Sequence, residues 1–209
     1  MRLLARITGI LFLVTIVTGV IAQTMISDRL VVFSDAAVTA NNILTHRSLY
    51  QAGFTIYLIE MTCQMAVIAL LYVLLKPVSH SGSFVAMVIG LAGAIIKTFS
   101  RVFYLAPLFL LHTPNSFGAL TPEQLRALSL VLLKINDRGA AVALALFGVS
   151  AVLKGYLMLR ATFFPRFLGI LGILSSLGWL TFFYPPLGYR SFMIVAPLAL
   201  LQSVILIYW

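Results

Sequence analysis

Six stretches of the chain, 7–26, 49–75, 84–111, 139–160, 167–184 and 191–209, run with almost no ionisable side chain. A helix needs roughly 20 mainly apolar residues to cross the hydrocarbon core of a bilayer. Few soluble architectures hold six such runs in 209 residues. Composition agrees: 62% of residues are hydrophobic and 9% charged, against about 45–50% and about 25% in an ordinary soluble domain. Turn residues separate the runs at Lys76-Pro77, Ser81-Gly82, His112-Thr113-Pro114-Asn115, Pro165 and Tyr184-Pro185-Pro186-Leu187-Gly188. The expectation is an all-α polytopic membrane bundle, one domain over 1–209, with six transmembrane helices and two short amphipathic helices on the outer side.

Those two amphipathic helices fall in the longer connections. Ser34 or Asp35 is placed to cap a short helix through Ala36, Ala37, Ala40, Ile43 and Leu44. Thr121-Pro122-Glu123-Gln124 reads as a capping box with proline at the first helical position, opening a leucine-rich stretch towards Asn136. The start of the chain, Arg2 and Arg6 before an apolar stretch, resembles a cleavable leader; its length favours a retained first span.

The net charge of +9 has a topological reading. Its 14 basic residues are scattered singly, with no run that tracks a phosphate backbone, so nucleic acid is not an expected partner and membrane lipids are. With the amino terminus inside, Arg2, Arg6, Lys76, Lys154, Arg160 and Arg166 lie on or near the cytoplasmic side, unaccompanied by acids. Asp28, Asp35, Glu60, Glu123 and Asp137 then all fall in the outer half. Both termini are expected to be cytoplasmic.

Some expectations are negative. Cys63 stands alone in an apolar run and packs as a small hydrophobe. His46, His80 and His112 sit in different connections, so no metal or haem pair is spaced for ligation, and no cofactor is expected. Nucleotide-binding, zinc-protease and Gly-x-Ser-x-Gly signatures are absent. Ser175 and Ser176 read as packing residues with Gly169, Gly172 and Gly178. Gln202 and Pro197 are too few to define a pore, and Tyr184, Tyr189, Tyr208 and Trp209 suit an interfacial belt.

A weak internal echo relates Arg6-Ile7-Thr8-Gly9-Ile10-Leu11 to Arg166-Phe167-Leu168-Gly169-Ile170-Leu171, and Tyr72 to Lys76 to Tyr156 to Arg160. Duplication would put a binding site at the repeat interface; recurrence of basic, glycine and leucine residues at cytoplasmic helix ends gives the same pattern without it. The segment from Gly155-Tyr156-Leu157-Met158-Leu159-Arg160 to Phe164-Pro165-Arg166-Phe167-Leu168-Gly169, with Ala5 to Gly9 and Asp35 to Asn41, resembles a bacterial membrane family, domain of unknown function 4386. That family often has serine where Ala161 and Thr162 stand here. The resemblance implies a compact inner-membrane bundle and carries no catalytic residues.

Charges inside the spans are the strongest functional signal, because an ionisable group in hydrocarbon is costly unless paired or hydrated. Glu60 is placed about 10 Å below the outer edge of the second span, and Lys97 about 12 Å below that of the third. Neighbouring antiparallel spans bring them together. Arg101 and Tyr104 follow Lys97 along one face, and Tyr57, Glu60 and Gln64 share the facing stripe. Asp35, Arg47, Asn136, Asp137 and Arg138 are candidates for the mouth of this polar seam. One carboxylate against two cations leaves positive charge for a small anionic or amphipathic ligand, a lipid included. A register-fixing ion pair, a proton-coupled transport site and an intramembrane enzyme with Glu60 as acid or base are the alternatives.

Overall fold

In the computed structural model, which describes residues 2–112, 118 and 120–208, six helices are long and apolar enough to cross a membrane. The first span is α1 (Arg2–Val20), which passes through a π-helical stretch (Ile21–Ser27) into the short α2 (Asp28–Leu30). After α3 (Ala36–Thr45) come α4 (Arg47–Leu75), α5 (His80–His112), α6 (Pro122–Arg160) and α7 (Arg166–Leu180). A 3₁₀ turn (Thr181–Phe183) leads to α8 (Pro185–Tyr208). The chain is a multi-pass membrane protein. The expected turn at Thr113-Pro114-Asn115 and the belt residue Trp209 lie outside the described residues.

Each span packs on the next, α4 on α5, α5 on α6, α6 on α7 and α7 on α8. α1 packs on both α4 and α8, which closes the six spans into a ring. With no hydrophobic drive between helices in lipid, close backbone approach has to supply the cohesion. Glycines provide it. A Cβ on Gly9 would meet the Ile207 backbone nitrogen at 2.7 Å, one on Gly148 the Leu180 nitrogen at 2.8 Å, and one on Gly169 the Leu159 nitrogen at 2.8 Å. Ser150 adds a bond across α6 and α5, donating to the Ala86 carbonyl at 2.6 Å. Ser175 and Ser176 instead donate to carbonyls of their own helix, Gly172 and Ile173, so the glycines beside them make the close approaches.

The buried apolar residues gather in three clusters, a small one of Ala141, Ala145 and Phe182 and two larger ones at opposite ends. Ala5, Leu74, Leu75, Leu157, Leu168 and Leu206 form the core of the end where the chain starts and finishes, the terminal end. Ala22, Ile26, Ile43, Tyr50, Tyr57, Tyr104 and Leu133 form that of the end carrying α3.

The two expected surface helices have different fates. Asp35 caps α3, its Oδ1 accepting from the amides of Ala37 and Val38 at 2.9 and 3.0 Å. Asp35→Ala is expected to cost about 1 kcal/mol, seen as faster hydrogen exchange at those two amides; unchanged protection would show the cap to be dispensable. The capping box at Thr121 is present too, but the helix it opens does not stop at Asn136. It continues as 39 residues to Arg160, about 58 Å of helix, so the second amphipathic stretch is the projecting part of the fourth span. No proline interrupts 123–160, and Gly139, where the amphipathic stretch meets the apolar run, is held against Ser100 of α5, whose Cβ a methyl there would meet at 2.7 Å.

Candidate functional site

Glu60 and Lys97 meet as their matched depths require, Nζ donating to Oε1 at 2.5 Å. Both are shielded, at 5% and 8% exposure, and Arg101 one turn further along α5 is at 3%. Gly19 on α1 makes room for the carboxylate, since a Cβ there would stand 3.0 Å from Glu60 Oε1. Glu60 Oε2, Arg101 Nε and the Tyr104 hydroxyl are buried without a hydrogen-bond partner among the described residues.

Arg101 has no carboxylate partner among the described residues. It donates from Nη1 to Asn136 Oδ1 at 3.0 Å, and its Cζ lies 3.5 Å from the centroid of the Tyr57 ring. The cation–π contact uses the ring face. The Tyr57 hydroxyl, freed from that task, donates to Gln23 Oε1 at 2.8 Å, and Gln23 Nε2 donates to Asp28 Oδ1, also at 2.8 Å. A polar relay thus runs from Asp28 on the first span through α4 and α5 to Asn136 on α6.

This seam forms one wall of a cavity of about 630 Å³, lined by residues of all six spans. Tyr57, Glu60, Gln64, Lys97, Arg101 and Asp137 line it. Asp137 is held through Oδ1 by the Tyr189 hydroxyl at 2.6 Å. The remaining sequence candidates stand elsewhere. Asn136 supports Arg101 from behind. Tyr104 stacks on Tyr50 at 4.3 Å, meets Tyr57 edge-on at 5.4 Å and accepts the Tyr50 hydroxyl at its carbonyl, so it packs behind the seam. Asp35 is committed to its cap. Arg47 lies 3.2–3.3 Å from the His112 ring nitrogens, joining the ends of α4 and α5. Arg138, the residue after Asp137, does not line the cavity.

Sequence reading missed Gln23, Asp28 and Tyr189. Gln23 lies inside the first apolar run, where one neutral amide gives no signal; the π-helical stretch brings it under Tyr57. Tyr189 has the composition of a belt residue, and only the packing of α8 against α6 joins it to Asp137. Lys154 and Gln202 also line the cavity, towards the terminal end.

The geometry therefore combines two features that the sequence set against each other, a closed ion pair and a roomy cavity beside it. Chemically, the cavity wall offers three carboxylates, Asp28, Glu60 and Asp137, each engaged by a hydrogen bond, three cations, Lys97, Arg101 and Lys154, and hydrogen-bonding side chains facing an otherwise largely apolar chamber. No curated protein and no solved structure matches the chain. The pattern of the family described as Domain of unknown function (DUF4386) matches residues 7–209. With nearly the whole chain matched, the protein belongs to the DUF4386 family.

Proposed function

We propose that this protein binds a small anionic or amphipathic ligand, a membrane lipid included, in the central cavity, with the anionic group at Lys97 and Arg101. The observation that carries this reading is the net positive charge of a shielded trio, Glu60, Lys97 and Arg101, on the wall of a 630 Å³ cavity. A register-fixing salt bridge needs one cation for one carboxylate and no chamber. The second cation, bonded among the described residues only to a neutral amide and an aromatic face, fits a ligand that brings its own negative charge. The reading includes a bacterial inner-membrane location with the terminal end cytoplasmic. The short connections at that end carry Arg2, Arg6, Lys76, Arg160 and Arg166 and no acid, and basic residues in short loops favour the cytoplasmic side.

A dansyl-labelled fatty acid titrated against the purified protein in detergent is expected to bind saturably. Arg101→Gln is expected to weaken that binding by about tenfold, the loss of one charge-assisted contact. The absence of saturable binding, or equal affinity in the variant, would overturn the reading.

A further inference from the structure

The cavity is not confined to the seam. Asp137 and Met158, which both line it, are 21 residues apart on α6, or about 31 Å along the helix. On α8, Tyr189 and Leu206 bracket it in the same way, about 25 Å apart. The chamber thus has the length of a bilayer's hydrocarbon core, about 30 Å.

Polarity along it is uneven. Beyond the seam the walls turn apolar, with Leu144, Phe147 and Ala151 on α6, and then become polar again at Lys154 and Gln202. Lys154 has no carboxylate partner among the described residues. It is one turn and a half short of the end of α6, facing the same chamber as Arg101. Gln202 is buried at 9% exposure, and its amide lies where a side chain on Gly172 would stand: a Cβ there would be 2.9 Å from Gln202 Nε2 and 3.4 Å from the Cα of Gly155. Two glycines therefore clear the space that sets this amide beside the backbone next to Lys154. A lone lysine that only reached for the headgroups would need neither the glycines nor a buried amide.

Resting on the reading that the cavity takes an anion at Lys97 and Arg101, we infer that Lys154 and Gln202 form a second anion-binding station. It takes the oxyanion of a carboxylate or phosphate at the terminal end of the same chamber. The ammonium supplies the charge and the Gln202 amide a directed N–H. Along α6 the two stations are about 27 Å apart, from Asn136 to Lys154. One compact anion cannot touch both at once. The cavity is then a two-station path for an anion across the membrane, with the apolar stretch between them.

The alternative is a single amphiphile with its head at Arg101 and its tail end at Lys154, and the two arrangements give opposite signs. For a tail, Lys154→Met replaces a cation by an apolar side chain and tightens binding; for a station, it removes the site. Equilibrium dialysis of the full chain in detergent, with inorganic phosphate as the free anion and the dansyl-labelled fatty acid as the lipid source, reads both. The expected result is two bound equivalents of at least one probe in the wild type, one in Lys154→Met, and two in Lys154→Arg. The probe that binds twice identifies the source. One equivalent in the wild type, or unchanged or tighter binding in Lys154→Met, would overturn the station. If Arg101→Gln keeps both equivalents at unchanged affinity while Lys154→Met loses one, the station stands and the reading at Arg101 fails. If Lys154→Met alone fails to fold, two equivalents in Gln202→Leu, with affinities unchanged, overturn the station, and a weakened second equivalent supports it.

Discussion

Glu60→Met is expected to lower stability by about 3–5 kcal/mol, the largest loss from any single change in the seam. The variant leaves Lys97 and Arg101 shielded side by side with no carboxylate between them. Lys97→Met should cost less, because Glu60 keeps Arg101 as a neighbouring cation. The double variant, Glu60→Met with Lys97→Met, removes both members of the pair and substitutes apolar groups of comparable size. A buried pair replaced in this way is often neutral in stability, so the double variant should recover most of the loss. Thermal unfolding in detergent for the four proteins completes the cycle. Additive losses would show that the 2.5 Å contact contributes no coupling and that each side chain is held by other neighbours.

The second large effect is expected at Gly169. A Cβ there would meet Leu159 Cγ and Cδ2 at 2.7 Å and the Leu159 backbone nitrogen at 2.8 Å. A leucine side chain can rotate away, but a helix backbone cannot. Gly169→Val must therefore part α7 from the end of α6, and overpacking of this kind costs up to about 3 kcal/mol. Gly82→Ala is the contrast. Its Cβ would meet only the movable Ser79 hydroxyl at 3.1 Å and a Leu157 methyl at 3.4 Å, so its unfolding temperature should stay near that of the wild type. Equal losses at the two positions would mean that the interhelical contact at Gly169 does not set it apart, since helix propensity alone favours replacing either glycine.

The spans were legible in the sequence because hydrocarbon penalises charge heavily, and a water-facing helix would carry charged side chains along runs of this length. The Glu60–Lys97 pair was legible for the same reason, two costly groups at one depth on adjacent spans. The Asp35 cap and the Thr121–Gln124 box rest on local chemistry and needed no tertiary information. The ring and its chamber were hidden. In lipid, the outward face of a helix is as apolar as the inward one, so periodicity does not say which side of α1 or α8 faces the centre. Asn136 and Asp137 show the limit. They are adjacent in sequence and a quarter-turn apart on the helix; one supports Arg101 and the other takes the Tyr189 hydroxyl. The same ambiguity hid Lys154, whose position near a helix end reads equally well as reaching out to the headgroups.

Closure of the ring has a consequence for how the chamber is first filled. α1 leaves the ribosome before α8, with the other spans between them, yet the two must pack together, with Gly9 against the backbone at Ile207. This is the contact with the greatest sequence separation in the bundle, and a chain synthesised in order reaches it after all others. Until then the spans form an open trough whose missing side is bilayer. Packing of α8 onto α1 closes that trough, so whatever occupies it at that moment is enclosed.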